Sequence, residues 1–145
     1  MTGDWPRPML TVDVVVLSGD PPAGVLLIAR GNPPFEGDWA LPGGFVDERE
    51  PTRRAAAREL REETGLESPA DLVLVGVYDA PDRDPRGWSV SVAYRAGVTG
   101  EEDVAGADDA ADARWFPLDE LPTLAFDHAE IIADAVGAAA TRPPA

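Results

Sequence analysis

The chain contains no cysteine and a single histidine among its 145 residues. Without cysteine there is no disulfide framework, no thiolate nucleophile and no zinc–thiolate site, so the sequence reads away from a small stapled secreted protein. A reducing, cytoplasmic setting is the expectation. Long apolar runs are missing as well: nothing approaches the ~18 residues that a membrane helix needs, and Met1 to Pro8 lacks the basic-then-apolar order of a targeting signal. Positive charge is scarce, with 12 basic residues against 27 acidic ones and a net charge of −15. That balance argues against a surface that binds nucleic acid by neutralising phosphates. All the basic residues are arginine. A guanidinium suits bidentate recognition of phosphate, although a coding bias toward Arg and Ala accounts for the total more cheaply. The length fits one domain over residues 1–145, with frayed ends at about 1–8 and 141–145.

Local patterning predicts strands and helices in alternation. Thr11 to Leu17 (TVDVVVL) and Val25 to Arg30 (VLLIAR) are β-branched, apolar runs separated by turn residues. Trp39 to Val46 reads as a further strand broken at Pro42-Gly43-Gly44. A helix starts near Pro51 and stops at Gly65, residues favoured at the first turn and just past the last one. Leu72 to Tyr78 and Ser89 to Ala96 read as strands, Val98 to Asp112 as an acidic surface loop, Ala113 to Phe116 as a short strand and Leu118 to Leu121 as a helical turn. An alanine-rich helix from about Asp127 to Ala140 completes the chain, with Ile131, Ile132, Ala135 and Val136 on its packing side. Strands with helices on either side predict a layered α/β domain built on a mixed sheet.

The stretch Gly44 to Leu66 (GFVDEREPTRRAAARELREETGL) carries the chemistry. Glu59, Glu62 and Glu63 fall within an arc of roughly 100° on the predicted helix. Like charges so placed repel and raise one another's pKa, and a hard divalent cation such as magnesium or manganese would neutralise them while keeping positions open for water and phosphate oxygens. The bland alternative is a solvated acidic helix face.

The same stretch resembles the signature of the Nudix hydrolase family, with Gly44, Glu50, Arg58, Glu59, Leu60, Glu62, Glu63, Gly65 and Leu66 at every fixed position. The resemblance implies an α/β/α sandwich and hydrolysis of a nucleoside diphosphate linked to another moiety by metal-activated water. It implies Glu59, Glu62 and Glu63 as metal ligands, with the backbone carbonyl near Gly44 completing the site, and Mg²⁺ or Mn²⁺ as cofactor. Glu62 or Glu63 would accept the proton of water, and Glu50 and Arg58 would hold the loop against the helix. Some members place the general base in a later loop, where Glu101, Glu102, Asp108, Asp109 and Asp112 are the candidates. Each also reads as a solvated loop acid.

Around the signature, Arg30 to Asp47, Asp82 to Gly87 and Asp108 to Phe116 resemble the ADP-ribose pyrophosphatase branch, which would yield AMP and ribose 5-phosphate. Arg30, Phe35, Arg83 and Arg86 are then the candidates for contacting substrate. Local ion pairs with Glu36, Asp38, Asp82 or Asp84 are the alternatives for the arginines, and core packing is the reading for Trp39. His128, beside Asp127, reads as helix-terminal or packing. The branch implies a homodimer acting on a small-molecule nucleotide, with no nucleic-acid or membrane partner. Rival readings are a triphosphate pyrophosphohydrolase, a sensor that binds ADP-ribose without cleaving it, and an acidic domain needing no metal. About thirty residues follow Trp115, too few for the winged helix that related regulators carry.

Overall fold

In the computed structural model, residues 4–67, 71–102, 104 and 110–140 are described. Strands β1 (Met9–Ser18), β2 (Gly24–Arg30), β3 (Trp39–Ala40) and β4 (Gly43–Phe45) precede helix α1 (Thr52–Thr64). Strands β5 (Val73–Tyr78), β6 (Ser89–Val98) and β7 (Ala110–Pro117) follow, and helix α2 (His128–Ala140) closes the order. All seven strands join one mixed sheet: β1 runs parallel to β6, and the other pairings are antiparallel.

The alternation in β1 sorts the core. Val12, Val14 and Val16 pack with Ala55, Ala56 and Leu60 of α1, whereas Val15 and Leu17 pack with Ile131, Ile132 and Ala135 of α2. Successive strand residues face opposite sides, so one apolar strand serves two cores. The α/β/α sandwich expected from the sequence is the observed architecture.

The functional geometry comes from a divergence between β1 and β2. They pair only beside their turn, at Leu17↔Val25 and Ser18↔Gly24. Farther along, β3 takes the freed edge of β2 at Ile28↔Ala40 and Ala29↔Trp39, and β4 takes that of β1 at Val12↔Gly44 and Asp13↔Gly43. Leu41 and Pro42 therefore cross the gap, and the Pro42 carbonyl accepts the Val14 N–H at 2.9 Å. A cleft opens where the two strands have parted.

Four local expectations shift. The break expected at Pro42-Gly43-Gly44 falls at Leu41 and Pro42, because Gly43 and Gly44 pair with β1 as part of β4. Pro51 stands just before the helix as its N-cap, with extended backbone (φ −62, ψ 139), and Gly65 ends it with left-handed φ 75. Strand β7 begins inside the stretch expected to be loop, because the far edge of β2 offers a ladder as far as Arg30↔Ala110. Leu118 to Leu121 forms no helical turn; the Glu120 N–H bonds the Pro117 carbonyl as a tight turn leaving β7. Among the described residues, no helix is long and apolar enough to cross a membrane.

Candidate active site

Helix α1 carries its three glutamates to the cleft at graded depth. Glu63 is buried at 7% exposure, and the Glu59 and Glu62 side chains are 14% and 37% exposed. The Gly43 N–H donates to Glu63 Oε1 at 2.7 Å, tying the strand crossing to the helix. A Cβ on Gly44 would lie 2.7 Å from the Glu59 carboxylate carbon, so only glycine leaves that carboxylate its place.

Arg58 organises the surroundings. Its Nε and Nη2 grip both oxygens of Glu50 at 2.8 and 2.9 Å, Nη1 donates to Glu59 at 2.9 Å and Glu62 at 3.1 Å, and Nη2 also reaches the Phe45 carbonyl at 3.1 Å. The planar fork of arginine satisfies these acceptors together, which an ammonium would not do. Arg58 thus joins Glu50 in the loop to the helix, and it reaches two of the cluster's glutamates as well.

The Arg58 hydrogen bonds hold the Glu50 carboxyl down at about 2, well below its ordinary value. An acid with a lowered folded pKa contributes stability above its unfolded pKa and loses it as pH falls through the folded one. The melting-temperature gap between wild type and Glu50→Gln is therefore expected to be fully open above about pH 4.5 and to close toward pH 2. Thermal denaturation in a pH series, followed by circular dichroism, checks this.

Burial drives Glu63 the other way, to about 8, with the Glu59 and Asp13 charges reinforcing the shift. Glu59 is also raised, by burial first and then by Glu62 and Asp47, against the opposing pull of Arg58. Desolvated carboxylates in mutual repulsion gain from a cation among them, and their hard oxygens suit magnesium or manganese. Among the described residues, no three carboxylate or imidazole groups already converge as a finished set of ligands. The fit of a metal to this site is therefore one of donor chemistry and charge.

Arginines share the cleft with the glutamates. Glu59, Glu62 and Glu63 line a cleft of about 470 Å³ together with Arg30 and Arg86. Arg30 Nε donates to the Pro34 carbonyl at 2.6 Å. Arg86 is held by Asp84 through bonds of 3.1 and 2.8 Å, so the expected alternative of a local pair coexists with its place in the cleft. Phe35, 39% exposed, packs edge-on against Phe126 at 4.8 Å, and Trp39 packs against Phe116 at 4.7 Å in the core beneath α2.

Arg83 differs from its expected part. Its side chain is 4% exposed, with Nε and Nη2 on Asp127 at 2.9 and 2.6 Å and Nη1 on Ser89 at 2.9 Å. Its partners are thus neither Asp82 nor Asp84 but Asp127, at the entrance to α2, and Asp13 at 4.0 Å.

Of the later acids, Glu101 accepts from Ser18 at the far end of β1, and Asp112 pairs with Arg114 and caps the Ala113 N–H. Glu102 offers its backbone carbonyl to the Trp115 indole. Asp108 and Asp109 lie outside the described residues.

Two groups escaped the sequence reading. Asp13 is buried at 6% exposure and stands 3.2 Å from His128 Nε2, while Ser91 donates to its other oxygen at 2.5 Å. The crossing leaves the Leu41 N–H without a strand partner, and His128 Nδ1 accepts it at 3.0 Å; the imidazole proton then lies on Nε2, facing Asp13. His128 is thus a packing residue at a helix start, as expected, with a specific bond on each nitrogen. The available signal was the lone acid in an apolar strand. Phe126 is the second group, with left-handed φ 53, in a small cavity beside the cleft that Arg30, Glu63 and Arg86 also line. A bulky side chain rarely adopts that conformation, and such outliers concentrate at functional sites.

The chain matches the NUDIX domain over residues 7–135. An ADP-ribose pyrophosphatase of Methanocaldococcus jannaschii is 48% identical over 128 residues, covering 88% of this chain and 73% of its own. The ADPR responsive transcriptional repressor NtrR of Acinetobacter baylyi is 39% identical over 137 residues, 91% of this chain and 54% of its own, so this chain spans about half of that repressor. The NUDIX domain of Shewanella oneidensis NrtR, solved in complex with ADP ribose, superposes with a TM-score of 0.82 at 36% identity, over 90% of this chain and 88% of its own. With its signature stretch lining the cleft, the chain belongs to the Nudix hydrolase family, and it is a Nudix pyrophosphohydrolase.

Proposed function

We propose that this chain hydrolyses the diphosphate of ADP-ribose, releasing AMP and ribose 5-phosphate. The observation that carries the reading is one cleft lined by charges of both signs, acids on α1 and arginines from β2 and the loop before β6. The pyrophosphatase relative and the ADP-ribose complex support the choice of substrate.

Glu59, Glu62 and Glu63, with the carbonyl of Gly44, would hold the divalent cation, magnesium by preference or manganese. When bound, such an ion neutralises the diphosphate oxygens and lowers the pKa of the attacking water. Arg30 and Arg86, which line the same cleft, grip the diphosphate. Water adds to one phosphorus, its proton passes to Glu62 or Glu63, and the bond from that phosphorus to the bridging oxygen breaks. The Gly43 N–H keeps the Glu63 carboxylate aimed throughout. A single catalytic domain in a cytoplasmic setting, acting on a small-molecule nucleotide with no nucleic-acid partner, belongs to the same reading, supported by the absent cysteine and the charge of −15. So does a homodimer, supported by exposed Val73, Leu74 and Val77 on β5, which ends the sheet order.

A panel of ADP-ribose, other nucleoside diphosphate sugars and nucleoside triphosphates tests the assignment. ADP-ribose is expected to show the highest kcat/KM. Turnover of triphosphates with ADP-ribose inert would replace this reading with that of a triphosphate pyrophosphohydrolase, and tight ADP-ribose binding without any turnover would replace it with that of a sensor.

A further inference from the structure

We infer that Phe126 is a positioning residue that sets the spacing of Arg30 and Arg86 for a diphosphate; this rests on the reading of the cleft given above. The two arginines come from the end of β2 and from the loop before β6, and no strand pairing fixes one against the other. What they share is the Phe126 ring. The Arg30 guanidinium carbon lies 5.1 Å from its centroid and that of Arg86 lies 5.8 Å from it, both within the range of attraction between a cation and an aromatic face. Arg86 also lies 5.2 Å from the Phe45 ring.

Two like charges gathered on one ring repel each other, as the glutamates of the cleft do. Asp84 offsets the charge of Arg86, Glu63 lies within electrostatic reach of Arg30, and the ring's negative face offsets part of the remainder. A guanidinium lying over a ring keeps in-plane N–H donors for an anion, so the arrangement suits a ligand bearing two adjacent negative groups. The backbone points the same way. Phe126 and its edge-on partner Phe35 both have left-handed φ, 53 and 59, and Phe126 lines a small cavity together with Arg30 and Arg86. Hydrogen bonds between Trp39 and Thr123 and Ala125, of 3.2 and 2.8 Å, lash the preceding segment along β3 and deliver Phe126 in that conformation.

The test compares Phe126→Leu, which keeps apolar bulk but loses the aromatic face, with Phe126→Tyr, which keeps the face. Phe126→Leu is expected to raise KM for ADP-ribose about tenfold with kcat within about twofold, while Phe126→Tyr stays within about twofold on both. Calorimetric titration of the wild type and both variants with a non-hydrolysable methylene analogue of ADP is expected to show the same ranking in Kd. That binding readout needs no turnover, so an error in the substrate assignment leaves it legible. Unchanged affinity and KM in Phe126→Leu, a fall in kcat alone, or equal damage from both variants would overturn the proposal. If Phe126→Leu does not fold, Phe126→Met takes its place under the same criteria.

Discussion

Replacing Glu63 by glutamine is expected to cut kcat by roughly 10³ while leaving the fold intact. Glutamine keeps an oxygen for the Gly43 N–H at the position now occupied by Oε1, so the link from helix to strand crossing survives. What it removes is the charge that the carboxyl would take on when a cation binds. Because burial raises the folded pKa of Glu63 to about 8, the carboxyl costs stability as pH rises from its unfolded value toward 8, where the unfolded chain has released its proton and the folded one has not. With a chelator present, Glu63→Gln should therefore melt at or above wild type, and its advantage should grow between about pH 4.5 and 8. An inactive but stabilised variant is the mark of a group kept for chemistry at the expense of stability. Melting curves with and without chelator, beside steady-state rates, check both halves. A destabilised Glu63→Gln would mean that the carboxylate is structural.

Gly43→Ala is expected to damage the fold itself. A Cβ there would lie 2.1 Å from the Val12 carbonyl oxygen and 3.1 Å from the Asp13 Cα, backbone atoms of the ladder between β1 and β4 that have no rotamer to escape into. Relief requires that ladder to part, at a cost of about 3 kcal/mol or more. The nearest atoms to the Cβ in the adjacent Gly44→Ala are those of the Glu59 carboxylate, at 2.7 to 2.8 Å, the far end of a flexible side chain. It should unfold near wild type yet lose most of its activity, because Glu59 is displaced. Urea midpoints with unchanged slopes, compared across the two variants, separate these effects. Equal loss of stability in both would mean that the backbone and side-chain contacts do not differ as described.

The pair also shows what was legible in the sequence. Glu59, Glu62 and Glu63 could be placed together from helical spacing alone, and the partnership of Arg58 with Glu62 is an i,i+4 pair. The layered architecture followed from apolar runs whose periods are local. Arg83 with Asp127, Asp13 with His128, and Phe126 with Arg30 and Arg86 were not legible, since each joins segments far apart in the chain. They meet because β1 and β2 part and the chain crosses between them. The crossing leaves a buried Leu41 N–H that only a distant imidazole satisfies, a demand that strand periodicity does not register. The β7 boundary shifted for a similar reason, because the edge of β2 supplied hydrogen-bond partners that composition could not foresee.

The most direct measurement is hydrolysis of ADP-ribose in ¹⁸O-labelled water with magnesium present, the products resolved by mass, in wild type and Glu63→Gln. AMP and ribose 5-phosphate should appear in equal amounts with one label in a phosphate of one product, and the variant should form neither at a comparable rate. Label elsewhere, cleavage at the glycosidic bond, or equal rates in the two proteins would contradict the account.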